Sequence, residues 1–215
     1  MVDFTAAIKR PFLDTKTAVI GMIIGMIPLL NIFVAGFGLK CAENTLNNKK
    51  ELAVWDDFVD IIVKAVVAMV IGIIYMIPAG IVLALGVASA IPAIMLAMSG
   101  DMSAVSGMMA STGLMFIVAV ILGVIAMFLL PMAIIKYLKN GMGAAFAIGE
   151  IAKKAFTAKY IISWIVSAVY YIIILIVVGI ISIIPTVGIF IGTGIGIYLS
   201  NVTIYTIFAE TYKEL

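Results

Sequence analysis

The sequence predicts an all-α fold, a polytopic transmembrane helical bundle. We expect about six membrane helices, two of them short or kinked, and two interfacial amphipathic helices. Three observations carry this expectation. Apolar residues make up 65% of the 215 and charged residues only 11%, where soluble domains run near ~45–50% and ~25%. The mean hydropathy is +1.31. Charge is absent from residues 17–39, 65–100, 102–135 and 160–209, and about 20 apolar residues suffice to cross a bilayer core. A water-soluble fold this apolar lacks the polar surface to cover itself, and disorder requires low hydrophobicity. A net charge of +2 with scattered bases offers no nucleic-acid face.

Taken in order, residues 4–13 form the first amphipathic stretch, with Lys9 and Arg10 ahead of Pro11. Residues 17–39 are interrupted at Ile27-Pro28-Leu29-Leu30-Asn31. Proline lacks a backbone N–H and disfavours helix in the residue before it. We read a hairpin of two short helices, the second running on toward Asn47, with Lys40 snorkelling to the surface. The segment Trp55-Asp56-Asp57-Phe58-Val59-Asp60 opens the next helix. Asp56 or Asp57 caps it, Asp60 pairs with Lys64 at i,i+4, and Trp55 anchors at the membrane interface. The span that follows is expected to bend at Pro78 and to break again at Pro92. The stretch 99–107 is a polar loop, and 108–135 returns. Residues 144–158 form the second amphipathic stretch. A full hairpin, 160–183 and 188–211, closes the chain through Ile184-Pro185-Thr186.

The basic residues set an orientation. All 13 Lys and Arg fall outside 65–135 and 160–209, and the loop 99–107 holds none. Positive charge is retained on the cytoplasmic side, so both termini are expected inside and loop 99–107 outside, in the cell membrane. We treat 1–215 as a single integral membrane domain. Residues 4–47 and 144–211 suggest a parallel internal repeat, in which Ile27-Pro28 aligns with Ile184-Pro185 and Asn44 with Asn201.

No catalytic residue, cofactor or metal is expected. The chain has no His and a single Cys, Cys41, which removes His-dependent triads and zinc motifs. Asp56, Asp57 and Asp60 could gather a divalent cation, but helix capping and pairing explain them more simply. The candidate interaction or cavity residues are Pro28, Asn31, Trp55, Asp56, Asp57, Asp60, Pro78, Pro185, Ser200 and Asn201. On the last helix Gly192, Gly196, Ser200, Thr203 and Thr206 share a broad face, and Gly21-x-x-x-Gly25 repeats the pattern. Small and hydroxyl residues on one face mark helix packing.

Several of these segments occur together as an ordered set: the Ile27-Pro28 hairpin, Trp55-Asp56-Asp57-Phe58, Ile74-Tyr75-Met76-Ile77-Pro78, Leu130-Pro131, and Ile184-Pro185-Thr186-Val187-Gly188. In this the chain resembles the DUF4013 family of uncharacterised prokaryotic multi-pass membrane proteins, often archaeal. The resemblance implies a fold and a location; it implies no activity and no site residues. Ala53 stands where the family pattern would carry a proline before the tryptophan.

Three function classes follow. The first is a non-catalytic scaffold that meets membrane lipid, a second copy of itself or another membrane protein, and no nucleic acid. The second is a transporter or channel for a small or apolar solute, using helices broken at Pro28, Pro78 and Pro92. The third is an intramembrane enzyme using the three aspartates.

Overall fold

The computed structural model describes residues 2–99 and 102–215, and every regular element among them is helical. The helices are α1 (Phe4–Lys9), α2 (Thr15–Gly25), α3 (Asn31–Leu46), α4 (Phe58–Ser99), α5 (Met102–Asn140), α6 (Ile148–Ala155), α7 (Ala158–Ile181) and α8 (Val187–Lys213). Among the described residues, four stretches are long and apolar enough to cross a membrane: Phe58–Pro92, Met108–Asn140, Ala158–Ile181 and Val187–Lys213. Helix α2, with 11 residues, would reach only about 16 Å at 1.5 Å per residue, short of a ~30 Å core.

Local sequence explains most helix ends. The Asp3 carboxylate accepts from the Ala6 N–H at 2.9 Å to start α1. Asp14 accepts from the amides of Lys16 and Thr17 to start α2. Ile27 adopts the extended backbone required ahead of Pro28, which opens a 3₁₀ turn into α3. Helix α3 ends in a Schellman motif. Asn48 sits at φ +61°, its N–H reaches the Thr45 carbonyl, and the Lys49 N–H reaches that of Asn44. Asp57 caps α4, accepting from the Asp60 N–H at 3.0 Å. Gly141, at φ +85°, ends α5 in backbone that side-chain-bearing residues rarely adopt. Both amphipathic stretches form short helices beside 3₁₀ turns.

Two expectations are corrected. Helix α4 runs unbroken through Pro78 and Pro92. A proline removes one backbone donor and crowds one carbonyl, and a helix with no competing polar solvent absorbs that loss locally. Both prolines are exposed on the helix surface. The polar loop 99–107 is also shorter than expected, because α4 extends to Ser99 and α5 begins at Met102. Residues 100 and 101 lie outside the described residues.

The chain divides into two compact units, residues 1–70 with 131–215, and residues 71–130. In the second, the central parts of α4 and α5 pair antiparallel. The hydroxyls of Ser89 and Thr112 meet at 2.9 Å. A Cβ on Gly86 would touch Met115, and one on Gly123 would touch Ala79. These pairs descend one helix as they climb the other.

The first unit is organised around α8, which packs against α1, α2, α3 and α7. Its core holds Phe37, Cys41, Ile61, Tyr198 and Val202, none more than 1% exposed. Glycines let the helices close in. A Cβ on Gly25 would lie 3.0 Å from the Gly194 carbonyl oxygen, one on Gly21 2.4 Å from the Tyr198 ring, and one on Gly38 2.9 Å from the Asn201 backbone. The Gly21-x-x-x-Gly25 face thus seats α2 on α8, as small residues do between membrane helices.

Candidate functional site

Three polar arrangements stand out in the first unit. The first is an ion-pair chain around the acidic segment. Lys40 on α3 pairs with Asp56 at 3.4 Å and with Asp60 at 3.8 Å. Lys64 on α4 pairs with Asp60 and, at 3.2 Å, with Glu43. The i,i+4 pair read from the sequence is present, and Lys40 ends on carboxylates. Hydrogen bonding to backbone amide, and then the Lys40 ammonium, hold the Asp56 carboxyl below the ordinary carboxylate range. Asp57 is spent on the cap of α4. The structure therefore gathers Asp56 and Asp60 around lysines, which occupy the positions a bound cation would need.

Trp55 serves as a staple between segments. Its ring stacks on Phe37 with centroids 4.0 Å apart and planes 10° apart. Its indole N–H donates to the Thr17 carbonyl at 3.1 Å. The residue ties the connection between α3 and α4 onto α2 and α3. A large flat ring with one donor fits that role as well as it fits an interface, and the sequence alone does not separate the two.

The second arrangement is the contact between α7 and α8. Thr203 donates to the Tyr170 hydroxyl at 3.1 Å, and the hydroxyls of Thr211 and Ser163 meet at 2.7 Å. Cβ atoms on Gly192 and Gly196 would press on Val178. The small and hydroxyl face of α8 is thus a packing face. Ser200 and Asn201 share with Thr193 an open groove of about 310 Å³ between these helices. Asn201 donates back to its own helix at Ile197. The Ser200 hydroxyl is buried without a hydrogen-bond partner among the described residues, as is the Asn31 side-chain amide oxygen.

Pro28 and Pro185 sit exposed in the turns of the two hairpins. Beside Pro185, Thr186 takes φ +63° and the Val187 N–H reaches the Pro185 carbonyl at 2.7 Å, a strained γ-turn. Asn31 lies seven residues, roughly 10 Å, along α3 from Gly38, where that helix meets Asn201.

The third arrangement was missed in the sequence. A cavity of about 530 Å³ opens between α1, the end of α3 and the end of α8. Lys9, Arg10, Lys49, Lys50 and Lys213 line it, with Asp3 and Glu210 as its carboxylates. Arg10 is only 5% exposed. Its guanidinium donates to the Thr45 hydroxyl, to the Lys49 carbonyl at 3.2 Å and to the Glu51 carbonyl at 2.8 Å, while its Nε is buried and without a partner among the described residues. Burial pulls this guanidinium below its ordinary value. One signal was available: Arg10 is the sole arginine among 13 basic residues, and arginine is the cation suited to several directed hydrogen bonds at once.

Fold and packing define an all-helical protein of membrane type, with four apolar helices long enough to span. Residues 19–184 match the model of DUF4013, described as a protein of unknown function, and the chain belongs to that family. No curated protein and no solved structure matches the chain.

Proposed function

We propose that this chain is a multi-pass cell-membrane protein that works as a non-catalytic scaffold, meeting lipid on most of its surface and a membrane partner or a second copy on part of it. One observation carries the reading. Fewer than a fifth of the residues in the most apolar windows of α4, α5 and α7 are buried, with Ile73, Ile117 and Ile172 each more than half exposed. Apolar surface on that scale marks contact with membrane or protein. The ion pairs and the cap around Asp56, Asp57 and Asp60 support the absence of chemistry. The distribution of lysines supports both termini inside and the tip between α4 and α5 outside.

The test is isolation of the tagged chain from its own membrane in mild detergent, followed by mass measurement. A stable complex or homo-oligomer is expected; a clean monomer overturns the scaffold reading. Transport retains one observation, the helix break at Pro28. Single cysteines at Asn31 and Asn201 that react with a polar thiol reagent in intact membranes would favour it over scaffolding.

A further inference from the structure

The cavity at Arg10 is built differently from the rest of the surface. Five cationic side chains face two carboxylates there, and one carboxylate, Glu210, is taken by Lys213 at 3.4 Å. Lys9, Lys49 and Lys50 make no ion pair among the described residues and are exposed. Beneath them lies a buried guanidinium with an unpartnered Nε–H. Its remaining bonds run to the Thr45 hydroxyl and to the carbonyls of Lys49 and Glu51, so Arg10 also folds the lysine-bearing loop over the cavity. That loop is positioned further by the Schellman motif at Asn48. From the other side, Tyr198 holds the Arg10–Phe12 turn by donating to the Pro11 carbonyl at 3.0 Å. The residues come from three separate parts of the chain, and the backbone of the Arg10–Phe12 turn and of the loop after α3 is held by contacts independent of any ligand.

Buried positive charge under a rim of free ammonium groups is complementary to a small, multiply acceptor-bearing anion. Phosphate has that chemistry, with several oxygens that take charge-assisted hydrogen bonds. A basic pocket among membrane helices on the cytoplasmic side is where phospholipid headgroups bind. We infer that this cavity binds an anionic phosphate group, delivered by a phospholipid headgroup at the inner membrane surface. The inference rests on the proposed membrane placement and on none of its partner claims.

The full-length chain in detergent would be titrated with phosphatidylglycerol and, separately, with phosphatidylcholine, and bound lipid read by native mass spectrometry. Two triple variants are compared with wild type. Lys9→Gln/Lys49→Gln/Lys50→Gln strips the rim. Lys16→Gln/Lys139→Gln/Lys153→Gln removes the same charge from exposed positions outside the cavity. Both leave Arg10 and its bonds in place, and unchanged thermal melting confirms that both fold. Preference for phosphatidylglycerol is expected to fall at least about tenfold in the rim variant and to stay near wild type in the other.

Competition identifies the source. Sodium phosphate displacing lipid no better than sodium chloride at equal ionic strength supports a lipid headgroup. Stronger displacement by phosphate, lost in the rim variant, keeps the phosphate site and makes its ligand soluble. Equal lipid binding by the two triple variants, or no preference for the anionic lipid in wild type, overturns the inference. A monomeric chain that keeps rim-dependent lipid binding defeats the scaffold reading alone; a partnered chain without it defeats this one alone.

Discussion

Single atoms decide how close these helices come. The sharpest case is Gly36 on α3, where a Cβ would stand 2.0 Å from the Ile61 carbonyl oxygen on α4. Backbone cannot swing aside as a side-chain tip can, so Gly36→Ala must push the two helices apart. We expect a loss of about 3 kcal/mol or more, read as a lowered melting temperature in detergent. Gly179 on α7 has nothing within 4 Å of its would-be Cβ. Gly179→Ala is expected to be neutral or to stabilise by up to about 1 kcal/mol through helix propensity. Equal effects at the two positions would remove the close-approach explanation. The sequence presents both as glycines in apolar stretches, and nothing local distinguishes them.

At the scale of elements, caps and turns were the readable part. Asp57 and the Ile27-Pro28 pair, read from the sequence, and Asp14, seen in the structure, place their helix boundaries through short-range bonds and sterics that need no tertiary context. Asp14 carries a pH consequence. The Thr17 hydroxyl first, and then the Thr17 amide, hold its carboxyl below the ordinary carboxylate value. A carboxyl depressed in the fold stabilises above its unfolded pKa, about 3.9, and that stabilisation fades as pH falls through the folded value. Asn can still cap but does not titrate. The melting-temperature gap between wild type and Asp14→Asn should therefore be open at pH 7 and close as the pH drops below about 4. A gap that stays constant across that range would show that the charge of Asp14 contributes nothing. The breaks expected at Pro78 and Pro92 failed at this same scale. Proline is a reliable breaker in water, but a long apolar helix has nowhere better to send its backbone groups.

Across the whole molecule, α8 is the element on which the first unit depends. It is the last helix in the chain, yet it contacts α1, α2, α3 and α7, and Tyr198 bonds to Pro11 across 187 residues. A chain ending before Val187 should retain its hydropathy and lose this packing. Cys41 reports the loss, because it is the single cysteine and is fully buried. A membrane-permeant thiol reagent should leave Cys41 nearly unlabelled in the full chain and label it completely after truncation. Protection that survives truncation would show that α2 and α3 fold without α8.

The sequence by itself determined the all-helical membrane class of the fold, the break at Pro28, the capped start of α4, and the packing role of the small-residue faces. These follow from properties local along the chain: hydropathy over about 20 residues, the missing N–H of proline, and the reach of a capping carboxylate. It did not determine the use of Trp55 as a staple on Phe37, the engagement of Lys40 with the acidic segment and of Lys64 with Glu43, or the cavity around Arg10. Each of these joins residues from segments far apart in the chain. Charge and aromatic patterns state what a side chain can bind; only the way α1, α3, α4 and α8 pack decides which partner lies within 3 or 4 Å.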